Sequence, residues 1–198
     1  MPTVQARRSK ENITLGSCHV YLEAFTDTVP SSITAIQALC TSEKLLGHIK
    51  GGASLEYTQT TTVEKDDFGT VRKVITTEED AKVKLGLITW NGETIQKLID
   101  RCDVTEETAT VQGTQRKYRV AKIGGAGNAQ GGYYILILKH EDKVDGNVYI
   151  MLVGKNTAGA SLKFANDAGT LVEPEFTAIP SDEAGTLIYM YEDLGAVE

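Results

Sequence analysis

Residues Gly51 to Glu64 read GGASLEYTQTTTVE. After the glycine pair the side chains alternate between two faces. One face contains Leu55, Tyr57, Gln59, Thr61 and Val63, and the other contains Glu56, Thr58, Thr60, Thr62 and Glu64. Because successive side chains of a strand point to opposite faces, the pattern predicts one long strand. The outer part of the segment has threonine rather than leucine or isoleucine, so neither face is suited to a deep core.

A second run, Val71 to Thr77, follows a turn-like segment from Lys65 to Gly69. Together the two runs predict a hairpin over residues 51–80 that protrudes from the rest of the chain. A two-stranded ribbon is marginally stable by itself in water, so we expect this hairpin to bind neighbouring chains. The candidate contact residues are Leu55, Tyr57, Val63, Lys65, Asp66, Asp67, Phe68 and Gly69.

Other apolar or alternating runs predict strands at 13–25, 80–90, 117–123, 133–139, 148–153, 171–179 and 186–191. The runs 133–138 and 148–153 are apolar on both faces, which predicts central, doubly buried strands. Thr94 to Cys102 has helical spacing, whereas a helix from Ile33 to Leu39 stays an open alternative. Glu78 to Asp80 is interpreted as a solvated corner. We expect a mainly β chain, a sandwich or barrel with one short α-helix.

Charge and composition limit the function. The chain has 198 residues, with 20 Lys and Arg against 27 Asp and Glu, and a net charge of -7. This balance argues against non-specific nucleic-acid binding, which depends on clustered cations. Residues 1–12 are interpreted as a polar arm whose Arg7 and Arg8 are candidate contacts, and residues 13–198 as one β domain. No apolar run is long enough to cross a membrane, so we expect no membrane partner.

The chain contains few candidate catalytic, metal-ligating or cofactor-binding residues. The glycine-rich segment Gly124 to Gly132 precedes a strand rather than a helix, so it does not match a phosphate-binding loop. His19, His48 and His140 stand apart, and the three cysteines lack zinc-ligand spacing. We therefore expect no catalytic residue, no metal site and no cofactor, and not an enzyme.

The order of elements resembles the phage major tail protein, or tail tube protein, family. The resemblance depends on the motif from Gly51 to Tyr57 after an N-terminal strand, the long hairpin, the run from Asp80 to Trp90, and a short helix. It covers the first half of the chain in order and spacing, and the second half only in its series of strands.

That resemblance implies a structural subunit that forms homo-hexameric rings stacked into a tube. It implies contact with other tail proteins (tape measure, terminator, baseplate or tip) and a lumen that DNA passes without specific binding. The implied location is the virion tail, after synthesis in the bacterial host cytoplasm. Two alternatives remain open from the residues: a monomeric cytosolic β-sandwich module that binds a peptide or carbohydrate, and a hydrolase with unrecognised catalytic residues.

Overall fold

The computed structural model describes residues 17–70, 72–128, 131–142, 146–162 and 169–193. The chain is mainly β, as the sequence predicts, and its strands pair antiparallel. The strands are β1 (His19–Ala24), β2 (Leu45–Gly47), β3 (Ile49–Lys65), β4 (Arg72–Leu87), β5 (Cys102–Val111), β6 (Thr114–Ile123), β7 (Tyr134–His140), β8 (Val148–Asn156), β9 (Glu175–Ala178) and β10 (Tyr189–Glu192). The α-helices are α1 (Ile33–Leu39) and α2 (Gly92–Leu98), and short 3-10 turns span Ser42–Lys44 and Ala126–Asn128.

Eight strands form one sheet that closes on itself. The pairing order is β2-β1-β7-β8-β9-β4-β3, and β10 pairs with the first half of β8. The two ends of this order, β2 and β3, are consecutive in the chain and separated only by His48. The carbonyl of His48 accepts a hydrogen bond from the amide of Ile88 at 2.9 Å, which continues the β3–β4 ladder to the junction. The sheet is therefore a small barrel, one of the two architectures expected from the sequence.

The two central strands separate two hydrophobic clusters. Leu136 and Leu138 of β7 point into the barrel with Leu152 of β8, whereas Ile135 and Ile137 point outward. The outer face is covered by α1 through the fully buried Ile36, and by the tyrosines of β10. The prediction that 133–138 and 148–153 are buried on both faces is confirmed.

The expectation of one short helix is wrong, because the described residues form two α-helices. Helix α1 begins after Ser32, whose hydroxyl accepts from the amide of Ala35 at 3.2 Å. Helix α2 begins after Asn91, whose side chain accepts from the amide of Thr94 at 2.9 Å. Both are N-cap contacts that satisfy a free amide of the first turn. Helix α2 also ends at Leu98 rather than at Cys102, which is the first residue of β5.

The solvated corner expected at Glu78 to Asp80 is exposed at Glu78 and Glu79, but it is not a corner. These residues lie inside β4, which continues from the hairpin into the barrel without interruption. The register shifts between Thr60 and Thr61 because Thr77 is an extra residue on β4, and its hydroxyl donates to the Thr60 carbonyl at 3.2 Å. A β-bulge thus occupies the position that the sequence suggested for a corner.

The later strands are shorter than the predicted runs 171–179 and 186–191. Strand β9 pairs with β4 and with the end of β8, and an isolated bridge joins Val172 to Leu87. Asn156 holds this region together although it is buried. Its amide donates to the carbonyls of Leu98 and Gly159 at 2.8 and 2.6 Å, and its oxygen accepts from the amide of Glu175 at 2.9 Å. One side chain therefore joins the end of α2, the end of β8 and the start of β9.

Candidate assembly surface

The β3–β4 hairpin extends well beyond the barrel. Every residue of β3 is exposed or half-buried, and β4 becomes buried only from Ala81 onward, opposite Tyr57. The outer part of β3 runs from Thr58 to Lys65 and spans about 26 Å at roughly 3.3 Å per residue. Among the described strands, this part of β3 pairs only with β4, and the facing part of β4 only with β3. The protruding hairpin of the sequence prediction is therefore present, from Ile49 to Leu87.

The tip of the hairpin exposes an aromatic ring. The amide of Gly69 donates to the carbonyl of Asp66 at 2.9 Å, and Gly69 has a positive φ of 68° that favours glycine. The hydroxyl of Thr70 donates to the Asp66 carboxylate. This turn leaves Phe68 90% exposed. An aromatic side chain so exposed, at the end of a projecting ribbon, is typical of a contact residue rather than of a folding determinant.

One face of the hairpin is largely apolar. Leu55, Tyr57 and Val63 share this face, as the alternation predicts, and cross-strand pairing adds Val74 opposite Val63. All four side chains are at least one-third exposed, and Val74 is 56% exposed. The sequence reasoning did not name Val74 as a contact residue, because only the register places it beside Val63.

The opposite face of the hairpin base contains a group of ion pairs. Lys84 lies 3.8 Å from Glu56 and 3.4 Å from Glu175, and Lys82 lies 3.2 Å from Asp80 and 3.8 Å from Glu175. These charges are partly exposed, so each pair is worth little by itself. Together they mark this face as solvated and distinguish it from the apolar face.

The glycine pair that opens the motif lies at a register shift within the part of β3 that pairs with the buried end of β4. Gly51 and Gly52 have φ of 87° and 88°, and the register shifts between Ile49 and Ala53. Positive φ at two successive residues is accessible to glycine at low cost. Between these glycines and Glu175 lies a groove of about 610 Å³, also lined by Lys50 and Lys84.

A second exposed hairpin was not predicted. Strands β5 and β6 form a separate two-stranded sheet joined by Gln112 and Gly113, whose φ values are 50° and 79°. Such a pair of positive φ values is the signature of a tight two-residue hairpin turn. Sequence reasoning recognised only the strand at 117–123. The threonine- and valine-containing run from 104 to 111, followed by the Gln112-Gly113 turn, is the signal that could have identified β5.

The barrel does not assemble a catalytic site from the histidines and cysteines. His140 is 9% exposed, with Nδ1 3.1 Å from the Ser17 carbonyl oxygen and Nε2 without a hydrogen-bond partner in the described part of the chain. Burial raises the pKa of the nearby Cys18 thiol, which disfavours the nucleophilic thiolate. Among the described residues, no three His, Cys, Asp or Glu side chains are grouped to hold a metal ion.

Arg7 and Arg8 lie outside the described residues. In the part of the chain that the structure describes, no helix is long and apolar enough to cross a membrane.

A comparison with protein-family models and with curated proteins found no match to this chain.

Proposed function

We propose that this chain is the structural subunit of a phage or phage-like tail tube. In this proposal its copies form hexameric rings that stack around a lumen for DNA, in the virion tail, with other tail proteins at the ends of the tube. The observation that supports it best is the β3–β4 hairpin, whose outer half is exposed and pairs with no other described strand, and whose tip exposes Phe68.

The energetics of the hairpin favour a partner. An isolated two-stranded ribbon is marginally stable, and exposed strand edges are templates for pairing with another chain. A contact between the tip of one copy and a different surface of the next is heterologous, so it can repeat indefinitely along one direction. Stacking of rings is one product of such a contact.

The charge of the chain agrees with passage of DNA rather than with its capture. A net charge of -7 gives little neutralisation of phosphates, on which non-specific DNA affinity depends. We expect the purified protein to show no measurable retention of duplex DNA at physiological salt.

Electron microscopy of negatively stained protein, over a concentration series and with light scattering in parallel, tests the proposal. Rings or hollow tubes of uniform diameter are the expected result. A species that stays monomeric at every concentration, also after seeding with purified tail tips, would contradict it and favour a monomeric binding module. That module would have a ligand site at the groove beside Gly51 and Gly52.

A further inference from the structure

The β5–β6 hairpin separates charge by strand. Strand β5 has acidic residues and no Lys or Arg, whereas β6 has basic residues and no Asp or Glu. The acidic residues are Asp103, Glu106 and Glu107, and the basic residues are Arg116, Lys117, Arg119 and Lys122. Because the two strands lie side by side, one edge of the hairpin is acidic and the other is basic.

Both edges are open within the described chain. Strands β5 and β6 pair with each other over ten registered positions and with no other described strand. From Glu106 to the turn, and from Thr114 to Arg119, every residue is exposed. The backbone groups on the outer side of each strand are therefore free to pair with a strand of another chain.

Only some of these charged residues form ion pairs within the subunit. Arg119 binds Glu93 of α2 at 2.7 Å and lies 3.4 Å from Glu106. Glu107, Arg116 and Lys117 form no ion pair with any described residue. The charges nearest the turn, where the hairpin is furthest from α2, are thus available to a neighbouring copy.

We infer that this hairpin joins copies of the chain laterally, with β5 of one copy added antiparallel to β6 of the next. The inference rests on the proposed function, which requires a ring of identical subunits. Copies related by rotation about one axis present their hairpins in the same orientation, so an acidic strand then always lies beside a basic one. Adjacent strands are about 4.8 Å apart, a distance at which opposite charges attract and like charges repel.

The same charges disfavour a two-fold dimer. A two-fold axis would place β5 beside β5 or β6 beside β6, with acidic against acidic or basic against basic edges. The sequence of this hairpin therefore favours a head-to-tail contact, which closes a ring or propagates, over a symmetric one.

Charge reversal on each strand tests the inference. Variant E106K/E107K places two lysines near the turn on β5, so that both strands are basic there. Variant R116E/K117E places two glutamates near the turn on β6, so that both strands are acidic there. We expect each variant alone to self-associate at least about tenfold more weakly than the wild type, because two cross-strand attractions become repulsions. An equimolar mixture should recover association, since the basic β5 of one variant then faces the acidic β6 of the other. Sedimentation velocity at low salt and at 1 M NaCl measures this, and the higher salt should weaken the wild-type contact.

The matched control for E106K/E107K is E43K/E183K, which makes the same two Glu→Lys changes at exposed positions outside the hairpin. It should associate like the wild type. Circular dichroism melts verify that each variant is folded. As a second measurement, chains with Thr110→Cys are mixed with chains with Gln115→Cys under mild oxidation, because both positions lie next to the turn. A disulfide between the two kinds of chain is expected, with little between identical ones.

The outcomes separate the inference from the proposed function. If the wild type forms rings or tubes and each reversed variant does so equally well, the lateral inference is overturned and the tube proposal stands. If association is charge-dependent as expected but only short open oligomers form, the inference stands and the tube proposal fails. If neither the wild type nor the mixture associates or cross-links, both are overturned.

Discussion

Tyr57 and Glu79 meet across the base of the protruding hairpin, where the tyrosine hydroxyl donates to the glutamate carboxylate at 2.5 Å. Gln59 completes the group by donating its amide to the Tyr57 hydroxyl at 2.7 Å and to Glu79 at 3.2 Å. All three lie on the face of the hairpin that contains Leu55 and Val63, and Tyr57 is opposite Ala81, the first buried residue of β4. This polar group therefore fixes the side chains at the point where the ribbon loses its core.

The hydrogen bond from Tyr57 to Glu79 raises the pKa of the phenol above its ordinary value. Glu79→Gln removes the charge that favours the protonated phenol, so the Tyr57 pKa should fall toward that of an ordinary tyrosine. A carbon-13 NMR titration of labelled tyrosines measures the change, with Tyr57→Phe used to assign the signal. An unchanged Tyr57 midpoint in the Glu79→Gln variant would show that this hydrogen bond is absent in solution.

Phe68→Ser should leave the subunit folded and impair its polymerisation. Because Phe68 is 90% exposed, we expect the free energy of unfolding to change by no more than about 0.5 kcal/mol. If the tip contacts the next ring, tubes should become rare or short, and deletion of Lys65 to Gly69 should abolish them. Met190→Ser, at an exposed methionine of β10, is the control for loss of apolar surface. Tubes of normal length from the deletion variant would show that the tip is not required for polymerisation.

Leu136→Asp should prevent folding of the subunit. Leu136 is fully buried on β7 and points into the barrel, where a carboxylate would have no partner. We expect insoluble protein or the loss of a cooperative thermal transition. Leu162→Asp makes the same chemical change at a leucine that is 38% exposed, and should melt close to the wild type. Soluble, cooperatively melting Leu136→Asp protein would contradict the position of this strand at the centre of the fold.

Asn156→Ala should destabilise the barrel by about 2–4 kcal/mol, because it leaves several buried groups without a hydrogen bond. The groups affected include the carbonyls of Leu98 and Gly159 and the amide of Glu175. Denaturant unfolding measures the loss. Asn128→Ala is the control, since Asn128 makes one side-chain hydrogen bond, to the Gly124 carbonyl at the surface loop. Equal unfolding free energies for the two variants would refute the linking role of Asn156.

The turn after β9 should respond to pH at the acid end only. Hydrogen bonds from the Thr186 hydroxyl, the Thr186 amide and the Tyr189 hydroxyl lower the pKa of Asp182 to about 2. The amide and the Tyr189 hydroxyl each donate at 2.8 Å. Because this pKa lies below the unfolded value of about 3.9, the stabilisation is complete above pH 4. It is lost as the pH falls through about 2. The Thr186 amide shift, followed by NMR from pH 5 to pH 1.5, should titrate near pH 2 in the wild type and not in Asp182→Asn. A midpoint near 4 would mean that the turn is open in solution.

Periodicity predicted the parts of the fold that depend on local pattern. Alternation identified the long hairpin and its two faces, and two runs apolar on both faces identified the central strands β7 and β8. These predictions succeed because strand geometry fixes which side chains share a face, whatever the partner strand is. The candidate contact residues between Leu55 and Gly69 follow from the same rule and lie on one exposed ribbon, and their contact role stays a prediction.

Features that depend on partners distant in sequence could not be predicted in this way. The polar run that contains Glu78 lacks apolar character, so its place inside a continuous strand is visible only from its pairing with β3. Strand β5 was not predicted because its threonines and glutamates give neither a regular alternation nor an apolar face. Only the register between β3 and β4 places Val74 beside Val63 on the candidate contact surface.

Local sequence patterns were enough to predict a mainly β chain with a long hairpin that has few large apolar side chains. Period-two alternation and turn residues depend only on residues that are close in sequence. The tertiary structure alone decided that the sheet closes at His48, that Asn156 joins three elements, and that an acidic strand lies beside a basic one. Each of these depends on which strands become neighbours, and that choice is made by burial of the whole apolar surface rather than by any single segment.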